Sequence, residues 1–216
     1  MFSLNFRNLH IRAAALMFVA IAFASCNAVE AETLAGASLV QHLRQGGYVL
    51  LMRHAHSPPE SPKNGAADAT NTNLERQLDE TGRSTARAMG EAIRKLHIPV
   101  GAVFSSPTYR ALETVRLAEL GSAKTFVQLG DGGQSMKADA VAGQASWLRN
   151  KIAERPRAGS NTIIVTHMPN IQVAFAQEAS DLTDGEALVF YPNRQGGTDL
   201  VAKVKIEDWP RLALDR

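Results

Sequence analysis

The chain predicts a single three-layer α/β/α domain: a mostly parallel central sheet with an antiparallel edge strand. Three observations carry this. Short β-branched or apolar runs at residues 48–52, 102–105, 125–127, 163–166, 187–191 and 200–206 alternate with helical stretches, the pattern of a parallel sheet with crossover helices. Several of these runs are apolar throughout rather than alternating, as strands covered on both faces must be. The last two runs are separated only by the short polar, glycine-rich stretch Pro192-Asn193-Arg194-Gln195-Gly196-Gly197, so they pair antiparallel at one edge.

Residues 1–31 read as a leader rather than as part of this domain. Arg7 and Arg12 precede the apolar run 13–24, and no acidic residue occurs before Glu30. The run is short for a membrane span, which needs about twenty residues. Two exits from this leader are open. Val29-Glu30-Ala31 and Ala22-Phe23-Ala24 offer small residues for cleavage to a periplasmic or secreted form. Phe23-Ala24-Ser25-Cys26 instead resembles a bacterial lipobox, which would end the leader at residue 25 and anchor the protein to the membrane through lipid on Cys26. Cys26 is the only cysteine, so the domain at 32–216 forms no internal disulfide. That domain has about 185 of the 216 residues, ample for one core. Without Arg7, Arg12 and Glu30 its formal charge falls from +2 to +1. There is no basic run and no interleaving of aromatic and basic residues, which argues against nucleic acid as a partner.

The elements follow in order. Residues 34–45 form an amphipathic segment that includes His42. Residues 48–52 enter from Gly46-Gly47 as a buried strand and end on Arg53-His54. Residues 57–73, rich in Pro, Asn, Gly and Ala, form a long loop expected to act as a lid carrying Lys63. In the helix 81–96, Ala86, Met89, Ile93 and Leu96 share one face, and His97 follows at its end. Residues 102–105 lead through Ser106-Pro107 into a helix whose first turn carries Arg110. A helix over 138–155 buries Val141, Ala145, Leu148 and Ile152. Residues 161–167 run as a strand into His167, and Met168-Pro169-Asn170 opens a further helix.

Function is concentrated at strand ends. In an open α/β sheet, ligands sit in the crevice beyond the carboxyl ends of the strands. Arg53 and His54 follow one strand, His167 follows another, and Arg110 lies in a helix first turn whose free N–H groups already favour an anion. Together they suit a phosphate.

Arg53-His54-Ala55, Ser106-Pro107-x-x-Arg110-Ala111-x-x-Thr114 and Val165-Thr166-His167 resemble, in order and spacing, the signatures of the histidine phosphatase superfamily in its phosphoglycerate-mutase-like branch 1. Leu78-Asp79-Glu80-x-Gly82-x-x-x-Ala86 resembles the helix start found between the first two. The one departure is Ala55, where the family usually has glycine. The resemblance implies a metal-independent phosphoric monoester hydrolase with no cofactor: His54 as nucleophile, forming a phosphohistidine, and Arg53, Arg110 and His167 around the phosphoryl oxygens. It also implies an acid in a loop after the second arginine. Asp131 is the candidate, with an ordinary Asp-Gly turn as the alternative; Glu186 is the second candidate. His56 and Arg76 are candidate substrate-side residues, each with a solvated or salt-bridged alternative, whereas Glu113, three residues after Arg110, is expected to pair with a cation.

The implied partner is a small phosphate ester. The leader and domain size are similar to those of a periplasmic branch acting on the heptose phosphates of lipopolysaccharide core. The compact phosphohistidine phosphatases are also similar but are cytoplasmic, which fits the leader poorly. Two readings from other classes stand beside the phosphatase. One is a catalytically silent phosphate- or lipopolysaccharide-binding protein. The other is a metal-dependent hydrolase using His54, His56, His167 and Asp131.

Overall fold

The computed structural model describes residues 33–59, 76–131 and 143–214. The leader with Cys26, most of the loop expected to act as a lid, Lys63 included, and the first residues of the helix expected over 138–155 lie outside these.

One sheet of six strands organises the domain, in the order β3-β2-β4-β1-β5-β6. These are β1 (Val49–Arg53), β2 (Val100–Ser105), β3 (Ala123–Thr125), β4 (Asn161–Thr166), β5 (Ala187–Pro192) and β6 (Thr198–Val204). The pairs β3/β2, β2/β4 and β4/β1 are parallel, and β5 pairs antiparallel with both β1 and β6. Antiparallel pairing therefore takes in β1/β5 as well as the β5/β6 pair at the edge, the one that the short connection predicts.

Among the described residues six α-helices surround the sheet: α1 (Gly36–Gln45), α2 (Glu80–Lys95), α3 (Tyr109–Leu117), α4 (Gln144–Ala153), α5 (Met168–Ala174) and α6 (Trp209–Leu212). Side chains alternate across each strand, so neighbouring residues enter different cores. Leu50, Met52, Ile163, Val165 and Val189 pack with Leu43, Met89, Ile93, Val115 and Trp209 on the face of α1, α2, α3 and α6. Val49, Leu51, Ile164, Leu188 and Phe190 pack with Leu148, Ile152 and Ile171 on the face of α4 and α5. Two cores on one sheet make three layers, and explain why β1 and β4 read as unbroken apolar runs.

The route of the chain positions the site. From β1 it passes through α2 to β2 and through α3 out to β3, then crosses to the other face for α4 and returns as β4, inserted between β2 and β1. The carboxyl ends of β2, β4 and β1 thus lie side by side, and the residues that follow them face one crevice. Two local differences from the sequence expectation arise here. The third strand is Ala123–Thr125 rather than 125–127, because Val127–Leu129 tightens into a 3-10 turn. The last strand ends at Val204, with Ile206 turned into the core by another such turn.

Candidate active site

Each catalytic candidate is held by backbone that continues a sheet ladder. His54 N–H donates to the carbonyl of Thr166 (3.0 Å) and Ser106 N–H to that of Val165 (2.9 Å), extending the pairings of β1 and β2 with β4 by one residue. His54 and His167 consequently stand with ring centroids 5.1 Å apart. Arg110 enters from the first turn of α3. Thr114, one turn later, donates its hydroxyl to the Arg110 carbonyl (2.8 Å) and accepts from Ala55 N–H (3.1 Å), tying the second motif to the first.

The hydrogen bonds fix the state of both imidazoles. His54 Nδ1–H donates to the carbonyl of Ala55 (2.7 Å), which leaves Nε2 with a lone pair; Arg110 Nε donates to it at 3.2 Å. Burial, and next the Arg110 charge, push the His54 pKa down to about 3, against the pull of the Ala55 carbonyl. An unprotonated nitrogen therefore faces the cleft throughout the neutral range. His167 accepts from Arg110 Nη2 at Nδ1 (3.2 Å) and donates from Nε2 to Ser106 Oγ (2.9 Å), with Thr108 Oγ1 at 3.2 Å. Burial, then His54 and Arg110, hold it well below the usual imidazole range. Behind these rings Arg110 Nη2 bonds Asp131 Oδ2 at 2.9 Å; the two side chains are 1% and 0% exposed.

Above this floor opens a cleft of about 400 Å³, walled by Arg53, His56, Ser57, Arg76, Gln172 and Asp184 among others. Arg53 bonds Asp184 through Nη2 (2.7 Å). Arg76 donates to the carbonyl of Ser57 (3.0 Å) and to its hydroxyl (3.3 Å). Burial first, then the Arg110 and Arg53 charges, lower the Arg76 pKa, against the opposing pull of Asp184 and Asp131.

Residues 49–131 match the histidine phosphatase superfamily (branch 1). Over those residues the chain is similar to a histidine phosphatase domain of that branch. No curated protein matches it. Among solved structures it is similar to the protein histidine phosphatase SixA complexed with tungstate, at 17% identity and TM-score 0.52 over 74% of this chain and 98% of that one. Two structures bearing the name phosphohistidine phosphatase SixA are also similar. That from Nakamurella multipartitia has 18% identity and TM-score 0.51 over 73% of this chain and 95% of that one. That from Agrobacterium tumefaciens has 15% identity and TM-score 0.51 over 73% and 97%. At these identities the likeness concerns the fold.

The fold brings Arg53, His54, Arg110 and His167 together, and sets His56 and Arg76 on the cleft wall. Two expectations are corrected. Asp131 is not among the residues that line the cleft; its carboxylate lies buried against Arg110. Glu186 is turned inward, accepting from the backbone N–H and the hydroxyl of Thr183 (2.9 Å each), so it braces a turn instead of touching substrate. That turn is nonetheless part of the site, because Gly185 N–H donates to the His54 carbonyl (3.0 Å) and Asp184 reaches the cleft from it. Glu113 pairs with Arg116 (2.6 Å), as its spacing predicts.

Sequence reading missed Asp184, which reaches the cleft, and saw Asp79 only as part of a helix start, whereas the fold sets it against His56. The metal-hydrolase alternative is not assembled. Among the described residues no group of three or more His, Cys, Asp or Glu could hold a metal ion, and the Arg110 guanidinium lies between the two buried histidines.

Proposed function

We propose that this protein is a phosphomonoesterase acting outside the cytoplasm on a small or sugar phosphate, by way of a phosphohistidine at His54. The single observation that carries the reading is His54 Nε2, unprotonated, locked in one tautomer by Ala55 and backed by Arg110. In-line attack by that nitrogen forms an N–P bond as the P–O ester bond breaks. Arg53 and Arg110 hold and neutralise the equatorial oxygens, where a loose transition state spreads its charge, and Arg76 contributes to binding the substrate. Arginine suits the task because its planar fork stays charged and binds phosphate at two points. Asp131 keeps the buried Arg110 in register. Water then hydrolyses the phosphohistidine, so the cycle needs no metal.

A cleft of about 400 Å³ suits a phosphate on one sugar or a similarly small group. The leader read in residues 1–31 supports a periplasmic or secreted location, or a lipid anchor at Cys26, and with it a lipopolysaccharide sugar phosphate as substrate. The test is hydrolysis of 4-nitrophenyl phosphate by the leaderless protein in excess EDTA, with His54→Ala alongside. Activity that survives chelation and is lost in His54→Ala, together with a trapped phosphoenzyme, supports the reading. Activity that returns only with added metal, or persists in His54→Ala, overturns it.

A further inference from the structure

Cleaving an alkyl phosphate requires a proton for the departing oxygen, and among the described residues the floor of the cleft directs none toward it. His54 is the attacking base, the Nε2 proton of His167 is directed to Ser106, and Asp131 is buried on Arg110. The wall is different. His56, two residues past the nucleophile, lines the cleft with 45% of its side chain exposed. Its Nδ1 lies 2.8 Å from Asp79 Oδ2, and its Nε2 lies 3.8 Å from Asp184 Oδ2.

Both ring nitrogens thus face carboxylate oxygens, Nδ1 within hydrogen-bond reach and Nε2 at ion-pair distance only. Asp79 is itself fixed, since its Oδ1 caps α2 by accepting from Gly82 N–H (2.8 Å). Gly82 lies against the His56 backbone so closely that a Cβ would collide with the His56 carbonyl. The helix start and the histidine are therefore locked together twice, by backbone packing and by side chain. The other charges facing the same space are Arg53, which shares Asp184, and Arg76.

Resting on the phosphatase reading above, we propose that His56 is the catalytic acid for the leaving group, with Asp79 and Asp184 as its positioning residues. As His54 Nε2 bonds to phosphorus, the ester P–O bond breaks and the Nε2 proton of His56 passes to the leaving oxygen, releasing an alcohol. His56 stays neutral, with Nδ1–H on Asp79. When water attacks the phosphohistidine, His56 Nε2 takes its proton, the N–P bond breaks, and free phosphate leaves with His54 and the imidazolium restored.

The experiment compares kcat/KM, which reports phosphoryl transfer to His54, on 4-nitrophenyl phosphate and on glycerol 2-phosphate. The nitrophenolate leaves with little help; the glycerol alkoxide does not. His56→Ala is expected to lose roughly 10²- to 10⁴-fold on the alkyl ester, and at least about tenfold less than that on the aryl ester. Asp79→Asn keeps a capping oxygen but no charge, and should show the same bias with a smaller loss. Thermal melts confirm that the variants fold. Equal losses on both esters, or none, in an active background overturn the role of His56 and leave the phosphatase reading standing. So does a wild type that cleaves only the aryl ester. A wild type inactive on both esters removes the phosphatase reading and this assignment with it.

Discussion

The floor and the wall of the cleft are built under opposite electrostatic regimes. On the floor, His54, Arg110, Asp131 and His167 are at most 3% exposed, and every polar group of the two histidines is spoken for by a fixed partner. On the wall, His56, Arg53, Asp79 and Asp184 are all partly open to water, and their pairs form between side chains that salt can screen. Burial makes the floor expensive to assemble but rigid. Exposure makes the wall cheap to change and weak in holding the fold. The difference suggests a division of labour: attack on phosphorus falls to the floor, and handling of what the phosphate is attached to, its departure included, falls to the wall.

Substitutions that break this division should be ordered by depth. The largest effect is expected from His54→Ala, with kcat/KM for 4-nitrophenyl phosphate falling roughly 10³-fold or more while the circular-dichroism spectrum is unchanged. Next is Arg110→Ala, which removes a transition-state donor, for about 10²- to 10³-fold in kcat, and strands Asp131. An unpaired buried charge costs about 3–5 kcal/mol, so denaturant melts should show a loss of that order. Replacing both partners, Arg110→Met with Asp131→Leu, should recover stability but not activity. A double variant less stable than Arg110→Ala would mean that the pair is not the buried unit described here.

The pH dependence sharpens the same contrast. Unfolded His54 takes a proton below about pH 6.5, whereas the folded side chain resists it down to about 3. The unfolded state therefore binds more protons in that window. Stability is fully present above about 6.5 and is lost as pH falls toward 3. Thermal midpoints should drop between pH 6.5 and 4, and drop less steeply in His54→Ala; an identical slope in the variant would sink the account. The smallest effect is expected on the wall. Arg76→Ala should raise KM about three- to tenfold with little change in kcat. The rise should shrink with added salt, which steady-state kinetics at two ionic strengths will check.

Much of this was legible in the sequence because strand-end residues announce themselves. Arg53-His54 and His167 follow apolar runs that can only be central strands, and Arg110 sits at a fixed distance past Ser106-Pro107. The buried stripe of α2 was equally readable, since Ala86, Met89 and Ile93 recur at helical steps and all three are buried. What was not legible is direction. Asp131, Glu186, Asp184 and Asp79 are all acidic residues in turns or caps, and composition cannot say which carboxylate faces inward. Asp131 was read as an acid at the cleft because it follows the second arginine in a glycine-rich loop. A buried guanidinium nearby claims it instead. Asp184 sits beside Glu186 in a four-residue turn, and only the inward bond of Glu186 to Thr183 decides which of the two reaches the cleft.

The late insertion of β4 has a consequence for how the protein is made. Tyr48 and Asn161, hydrogen-bonded neighbours at the start of β1 and β4, are 113 residues apart in the chain. Such long-range parallel pairing closes slowly, because loop entropy is lost before the contact repays it. Until β4 slots between β2 and β1, His167 has no place beside His54, and Arg110 lacks one of the two rings it bridges. A chain in which β4 has not yet paired therefore carries every residue of the site without the assembled site, so gain of phosphatase activity would report that pairing.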